Sequence, residues 1–234
     1  MDTRIEELHN GALDVILHKL TEDILCLSHG EQVDPPGFRA AQSRVQRLVE
    51  FCDQNDCALV DDPNCVQIVM SRTDIAQTLE RCLKDAGTAS GIAVRAPRYA
   101  ICKDSARIVD LRAPMIAKPL IAAGTKASHS LLVVLNNDFA TSVEYPCILQ
   151  EYVNHNAELF KVYVLGDHIS VHRRPSLPDL PRDATTNKSV VAFDSQRPYS
   201  MLRHFGYNDE RMTSTSKSRL NKQMKNSFNA TCRR

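Results

Sequence analysis

The sequence predicts an α/β protein: a small βαβ unit over residues 1–85, then a larger, mostly antiparallel sheet lobe over residues 86–205. Three observations carry this reading. An apolar run, a helical stripe and a second apolar run follow one another near the N-terminus, the order that makes a parallel strand pair. Asp85 to Pro97 is rich in Gly and Ala and reads as a linker between the two parts. Beyond it, short runs of β-branched and aromatic residues alternate with turn signals.

The elements justify this in order. Leu13 to Leu20, LDVILHKL, is a strand by its Val15 and Ile16, expected to be buried on both faces, with His18 and Lys19 at its C-terminal end. In open parallel sheets that end is where ligands bind; a solvated strand terminus is the plain alternative for Lys19. A polar loop closes at Asp34-Pro35-Pro36. From Phe38 the positions Ala41, Val45, Leu48, Val49 and Cys52 recur at helical spacing, with Arg39, Arg44 and Arg47 on the solvated side. Cys57 to Val60 is the second strand, closed by Asp61-Asp62-Pro63. Ser71 to Asp74 has capping-box form with Asp in place of Glu, and Ile75, Leu79, Cys82 and Leu83 form a stripe behind it. Arg72 stands at this helix start, where a bound anion is favoured, although a surface arginine beside a cap is the commoner case.

Arg98 to Cys102 is the first strand of the second part, and Asp104 to Val109 a short helix. Met115 to Ile121 is a strand with Lys118 in its middle, a costly place for an amine that reaches neither water nor an anion. A small-residue loop with Gly124, Lys126, Ser128 and His129 leads into the strand Leu131 to Leu135. Such a loop can fold its N–H groups over phosphates, but it lacks Walker spacing. Then comes EYPCILQEYVNHNAELFKVYVL, Glu144 to Leu165: a strand, a polar connector at Asn154, His155 and Asn156, and a second strand carrying an inward lysine, Lys161. A hairpin with a solvated lysine is the plain alternative. His168 to Arg174 and Val190 to Phe193 are further strands. Residues 206–234 read as a basic, disordered tail, rich in Arg, Lys, Ser, Thr and Asn from Arg211 onward.

Composition limits the function classes. The chain has 234 residues, 43% hydrophobic and 24% charged, with a net charge of +1. That balance gives no global field for nucleic acid or an anionic membrane, so any anion must be held by a local gathering of bases. No run reaches the roughly 18 apolar residues of a spanning helix, and the acidic, polar start MDTRIEELHN is not a signal peptide. The scattered cysteines, without a C-x-x-C pair, suggest reduced thiols in a cytoplasmic or nuclear protein and no zinc ribbon.

The series LDVILHKLTE, MIAKPLIAAGTKASH, PCILQEYVNHNAELFKVYVLGD and RRPSLPD resembles the inositol-tetrakisphosphate 1-kinases, also called inositol 1,3,4-trisphosphate 5/6-kinases. The resemblance runs from about Leu13 to Ser200 and is strongest from Lys118 to Pro178; Q-E-Y-V-N-H-N-x-x-x-F-K-V-Y-V-x-G is its most specific part. It implies an ATP-grasp fold and an enzyme that moves the γ-phosphate of ATP to a hydroxyl of an inositol tris- or tetrakisphosphate, with ATP and Mg2+ as cofactors. By position it implies that Arg72, Lys118, Gln150, Glu151, Tyr152, Val153, Ser176 and Ser195 contact the nucleotide. Lys19, His129 and Lys161, with Arg174 in addition, match positions that hold the inositol phosphate. Expected partners are inositol phosphates and ATP, with no nucleic acid and no membrane, and the chain is expected to be a cytoplasmic monomer.

The chain departs from the family pattern in two places. The family begins with an earlier strand and a lysine-bearing segment, and it ends with a D-x-N-x-F-P-G-Y-like motif whose side chains hold magnesium. Neither is matched here, and Asp209 and Glu210 lack strand context. The expectation is therefore an ATP-grasp chain truncated at both ends, without its metal ligands and impaired in transfer. The alternatives are a non-catalytic binder of nucleotide or inositol phosphate, and another ATP-grasp enzyme such as a carboxylate–amine ligase. HKLT and RPSLPD favour inositol phosphate over a carboxylate acceptor.

Overall fold

The computed structural model describes residues 13–30, 34–86, 94–105, 110–181, 186, 188–197 and 202–206. The elements are β1 Val15–Leu17, α1 Thr21–His29, α2 Pro35–Gln54, β2 Ala58–Val60, α3 Pro63–Met70, α4 Arg72–Ala86, β3 Tyr99–Cys102, β4 Met115–Pro119, β5 Ser130–Val134, β6 Cys147–Glu151, β7 Glu158–Leu165, β8 His168–Pro175 and β9 Val190–Asp194.

β1 and β2 pair in parallel, with Val15 opposite Ala58 and Leu17 opposite Val60. α2 covers one face of the pair. Leu48, Phe51, Cys52 and Cys57 are buried there, and Leu13, Ile16, Leu20 and Leu59 pack against them. The expectation that β1 is buried on both faces fails: Val15 is 56% exposed and Leu17 80%. Alternate residues of a strand face opposite ways, and among the described residues only one face of this pair has a helix on it.

Two helices were not expected. The stretch read as a polar loop contains α1, whose Ile24 is almost wholly buried. Ile24, Leu25 and Leu27 are bunched rather than spaced, so no helical stripe announces them. α3 follows directly on the turn at Asp61. The Asp62 carboxylate accepts the Asn64 N–H at 2.7 Å, and Pro63 opens the first turn. α4 begins as its capping box predicts, with the Asp74 N–H donating to the Ser71 hydroxyl oxygen at 3.2 Å. Its predicted apolar stripe is largely in solvent, however. Ile75, Leu79 and Cys82 are exposed, and Ala76 is the buried contact.

The larger sheet has the order β3-β6-β4-β5-β9, antiparallel at every step. One face buries Cys102, Met115, Ala117, Val134, Cys147 and Leu149. On the other, Val133, Leu135, Tyr152, Leu177, Leu180 and Phe205 form a second core with Ile116, Val191 and Phe193. Lys118 and Gln150 lie on this second face, because they alternate with Ala117 and Leu149. The helical part joins the sheet through the start of α4. Ser71 pairs with Ile121, the Arg72 N–H donates to the Leu120 carbonyl at 2.8 Å, and the Ala122 N–H donates to the Met70 carbonyl at 2.7 Å.

β6 and β7 are strands, as read, but they do not pair with each other. β6 lies inside the sheet, and β7 forms a separate two-stranded hairpin with β8 across Gly166 and Asp167. The connector between them turns through Asn156 and Ala157 at positive φ, a conformation Asn tolerates well. It is fastened to the segment after β8. The Tyr152 hydroxyl donates to the Pro178 carbonyl at 2.5 Å. The Asn154 side chain donates to the Leu180 carbonyl at 2.8 Å and accepts the Leu180 N–H at 3.0 Å. One Asp179 oxygen accepts the N–H groups of His155 and Asn156 at 2.9 and 2.8 Å.

Most of the predicted linker (87–93), most of the helix expected from Asp104 to Val109, and the basic tail from 207 onward lie outside the described residues.

Candidate functional site

Two cations meet at the end of β4. The Lys118 ammonium donates to the Gln150 amide oxygen on β6, its diagonal neighbour across the strand pair. The Arg72 guanidinium, brought in by the N-terminus of α4, donates to the Pro119 carbonyl at 2.9 Å and to the Ser128 carbonyl at 2.6 Å. One arginine thereby ties the end of β4 to the far side of the small-residue loop. Burial, and secondarily the nearby Arg72 charge, pull Lys118 down from its ordinary 10.5 to about 8; burial also lowers Arg72. Among the described residues, both are bonded to neutral oxygens. Two adjoining, mostly buried positive charges without a carboxylate partner among the described residues are an arrangement that an anion relieves.

The loop between β4 and β5 is compact. Gly124 sits at φ +82°, and a Cβ there would lie 3.1 Å from Leu25 and 3.2 Å from Met70. Ser128 is wholly buried, and its hydroxyl donates to the Thr125 carbonyl at 2.6 Å. The loop then ends in a 3-10 turn, Ala127–His129. His129 Nδ1 is 3.3 Å from the Ser195 hydroxyl, and the Ser195 N–H donates to the His129 carbonyl at 3.0 Å. Gln196 reaches the other ring nitrogen at 3.1 Å. Arg72, Lys118, Gln150, His129 and Ser195 are thus linked around one end of the sheet.

The other predicted residues lie elsewhere or are engaged. The Glu151 carboxylate is gripped by Arg95 at 2.8 and 3.1 Å and accepts the Arg98 N–H at 3.1 Å. The Arg95 hydrogen bond holds it below the ordinary carboxylate range. Tyr152 has its ring in the second core, its hydroxyl on the Pro178 carbonyl and its N–H on the Pro114 carbonyl at 3.2 Å. Val153 is partly exposed. Ser176 is 2.6 Å from His155 Nε2, while His155 Nδ1 is buried without a hydrogen-bond partner.

Lys161 was read as inward-pointing, but it is exposed on β7; a two-stranded hairpin has no further layer to enclose it among the described residues. Arg174, opposite Leu159 on β8, is exposed as well. Lys19 lines a separate open depression of about 470 Å³ with Thr21, Glu22 and Arg44, where Arg44 is bound to Asp23 at 2.5 Å. Beside it, the Leu20 N–H donates to His18 Nδ1, leaving Nε2 to donate to the Asp61 carbonyl at 2.5 Å. Of the four groups expected in one cavity, Lys118 is bonded to Gln150, His129 lies against Ser195, Lys161 is exposed on the hairpin, and Lys19 lines the depression whose Thr21 methyl would lie 3.6 Å from a Cβ at Gly124. Arg95, Arg98, His155 and Gln196 were missed, because each is defined by a partner remote in sequence.

A five-stranded antiparallel sheet joined by a connector to a separate hairpin, with two cations at the end of β4, agrees with the class that the comparisons give, an ATP-grasp domain. The family described as inositol 1,3,4-trisphosphate 5/6-kinase ATP-grasp domain matches residues 87–214. The chain belongs to that family. It is 33% identical over 155 residues to inositol-tetrakisphosphate 1-kinase 1 of Zea mays, covering 63% of this chain and 45% of the relative. It is 42% identical over 91 residues to inositol-tetrakisphosphate 1-kinase 5 of Oryza sativa subsp. japonica, covering 39% and 27%. With inositol-tetrakisphosphate 1-kinase of Xenopus laevis it shares 29% over 188 residues, covering 77% and 45%. The chain spans less than half the length of these relatives.

Proposed function

We propose that this chain binds ATP and, as part of an inositol polyphosphate kinase, serves transfer of the γ-phosphate to a hydroxyl of an inositol tris- or tetrakisphosphate. The observation that carries the proposal is the Lys118–Arg72 pair, two neighbouring cations that, among the described residues, are held by neutral oxygens. In this reading Lys118 and Arg72 receive the nucleotide phosphates, with Ser195 beside them. The stretch from Gln150 to Val153 offers backbone groups to adenine, and Ser176 stands at the end of the connector. Lys19, His129, Lys161 and Arg174 are the acceptor-side groups. Phosphoryl transfer needs positioning and neutralised oxygens rather than a covalent residue, which suits a site of fixed cations.

Magnesium belongs to the family reading. Among the described residues, no group of three or more His, Cys, Asp or Glu side chains is gathered to hold a metal ion. No described helix is long and apolar enough to cross a membrane. A cytoplasmic monomer, divided near residue 85 into an inositol-phosphate-side unit and an ATP-grasp lobe, remains part of the proposal.

A second reading, nucleotide binding without transfer, is favoured by one observation: Lys161 and Arg174 stand exposed on the hairpin. Incubation with γ-labelled ATP and inositol 1,3,4-trisphosphate separates the two. Label on the inositol supports the kinase. ATP binding by calorimetry without label transfer supports the binder, and absence of ATP binding rejects both.

A further inference from the structure

The β7–β8 hairpin is two-faced. Residues directly opposite each other share a face, so the register sorts its side chains without ambiguity. Phe160, Val162, Val164, Ile169 and Val171 make one face. Lys161, His172 and Arg174 lie together on the other. His172 is directly across from Lys161, at a Cβ separation of about 5 Å for such pairs, and Arg174 follows it two residues along the same strand.

Among the described residues, this second face has no counter-charge. The hairpin's carboxylate at Glu158 is on the apolar face, bound there to Arg173. Asp179, at the root, is occupied by two backbone N–H groups. Asp167 is in the tip turn, at the far end from Arg174. The His172 ring is also held in place. Tyr163 meets it edge-on, with centroids 5.6 Å apart at 79°, and the Ser170 hydroxyl is 3.4 Å from Nε2. Nδ1 has no partner among the described residues. A ring nitrogen beside two cations that have no carboxylate partner among the described residues is suited to an anion with several oxygens close together.

We infer that His172 is a third phosphate-holding residue on this face, donating to a phosphate group of a polyphosphorylated ring that Lys161 and Arg174 also grip. The inference rests on the proposed acceptor-side reading of Lys161 and Arg174 and adds to it a residue that the family resemblance did not assign.

The test is titration calorimetry of the full chain with inositol 1,3,4-trisphosphate and, separately, with ATP. His172→Ala is expected to weaken inositol trisphosphate binding roughly three- to tenfold, the loss of one charge-assisted hydrogen bond, and to leave ATP affinity unchanged. His172→Arg, which keeps a donor on the same strand face, is expected to restore it. If Lys161→Ala weakens inositol trisphosphate binding and His172→Ala does not, the role of His172 is overturned while the acceptor-side reading stands. If neither substitution matters, or the unaltered chain does not bind, that reading falls and takes this inference with it. Equal losses for ATP and inositol trisphosphate, unrepaired by His172→Arg, mark a merely structural residue and also overturn it.

Discussion

Lys118 is the side chain whose chemistry is most exposed to test. Its amine, lowered to about 8 by burial and by Arg72, is charged at pH 7 and loses its proton as pH rises through that value. ATP affinity is therefore expected to fall between about pH 7.5 and 9, measured by calorimetry in buffers of matched ionic strength. The sign for folding is opposite. Between about 8 and the ordinary 10.5 the unfolded chain holds more protons than the folded one, so the ligand-free protein gains stability with rising pH across that window. A pH series of denaturant midpoints checks this. Lys118→Ala is expected to weaken ATP by at least about tenfold and to flatten the affinity profile near pH 8; unchanged affinity rejects the assignment. Arg72 acts through its shape. A lysine amine cannot replace a fork that reaches two carbonyls at once, so Arg72→Lys is expected to cost about 1–2 kcal/mol, seen as a lower thermal midpoint. Of this pair, Lys118 was legible in the sequence, because a lysine inside MIAKPLI has no cheap bland explanation. The fork was not legible: the two carbonyls it reaches lie 47 and 56 residues away.

The strands were legible because their signals are local. Alternation in β7 and β8, β-branched pairs in β5 and β9, and Gly166 at the turn each depend on neighbouring residues alone. α1 and α3 were not, because both are short, nine and eight residues, too few turns for a stripe to stand out. The connector between β6 and β7 shows what a local signal leaves out. Asn154 to Asn156 reads as a turn, yet its function in the fold is to fasten the hairpin root to residues 176–180 through side chains 21 to 26 residues apart. Asn154→Ala removes both bonds to Leu180. It is expected to cost about 1–3 kcal/mol and to speed amide exchange at Leu180 and at the roots of β7 and β8, while the five-stranded sheet keeps its protection. Uniform loss of protection throughout the protein would contradict a local fastening.

The whole molecule depends on both faces of the five-stranded sheet being covered. Leu149 is fully buried in the first cluster, and Phe205 completes the second. Leu149→Ala is expected to cost about 2–5 kcal/mol, lowering the denaturant midpoint; a loss under about 1 kcal/mol would mean that this face is not a packed core. The thiols in this interior are protected rather than reactive. Cys102 and Cys147 face each other across β3 and β6, and burial first, then the neighbouring sulfur, push Cys147 up to about 12. An alkylating reagent at pH 8 is expected to modify the exposed Cys65 and Cys82 while sparing Cys147, as peptide mapping would show.

The sequence by itself determined the α/β class, the parallel pair, the strand-rich lobe and the family, because periodicity, turn chemistry and a long specific motif are carried by residues close together in the chain. Tertiary structure alone decided which charged groups share a site. It brought Arg72 beside Lys118 and Ser195 beside His129, and left Lys161 exposed on the hairpin. Charge gathers through strand register and the angle at which a helix meets a sheet, and neither can be read from a residue's neighbours in the chain.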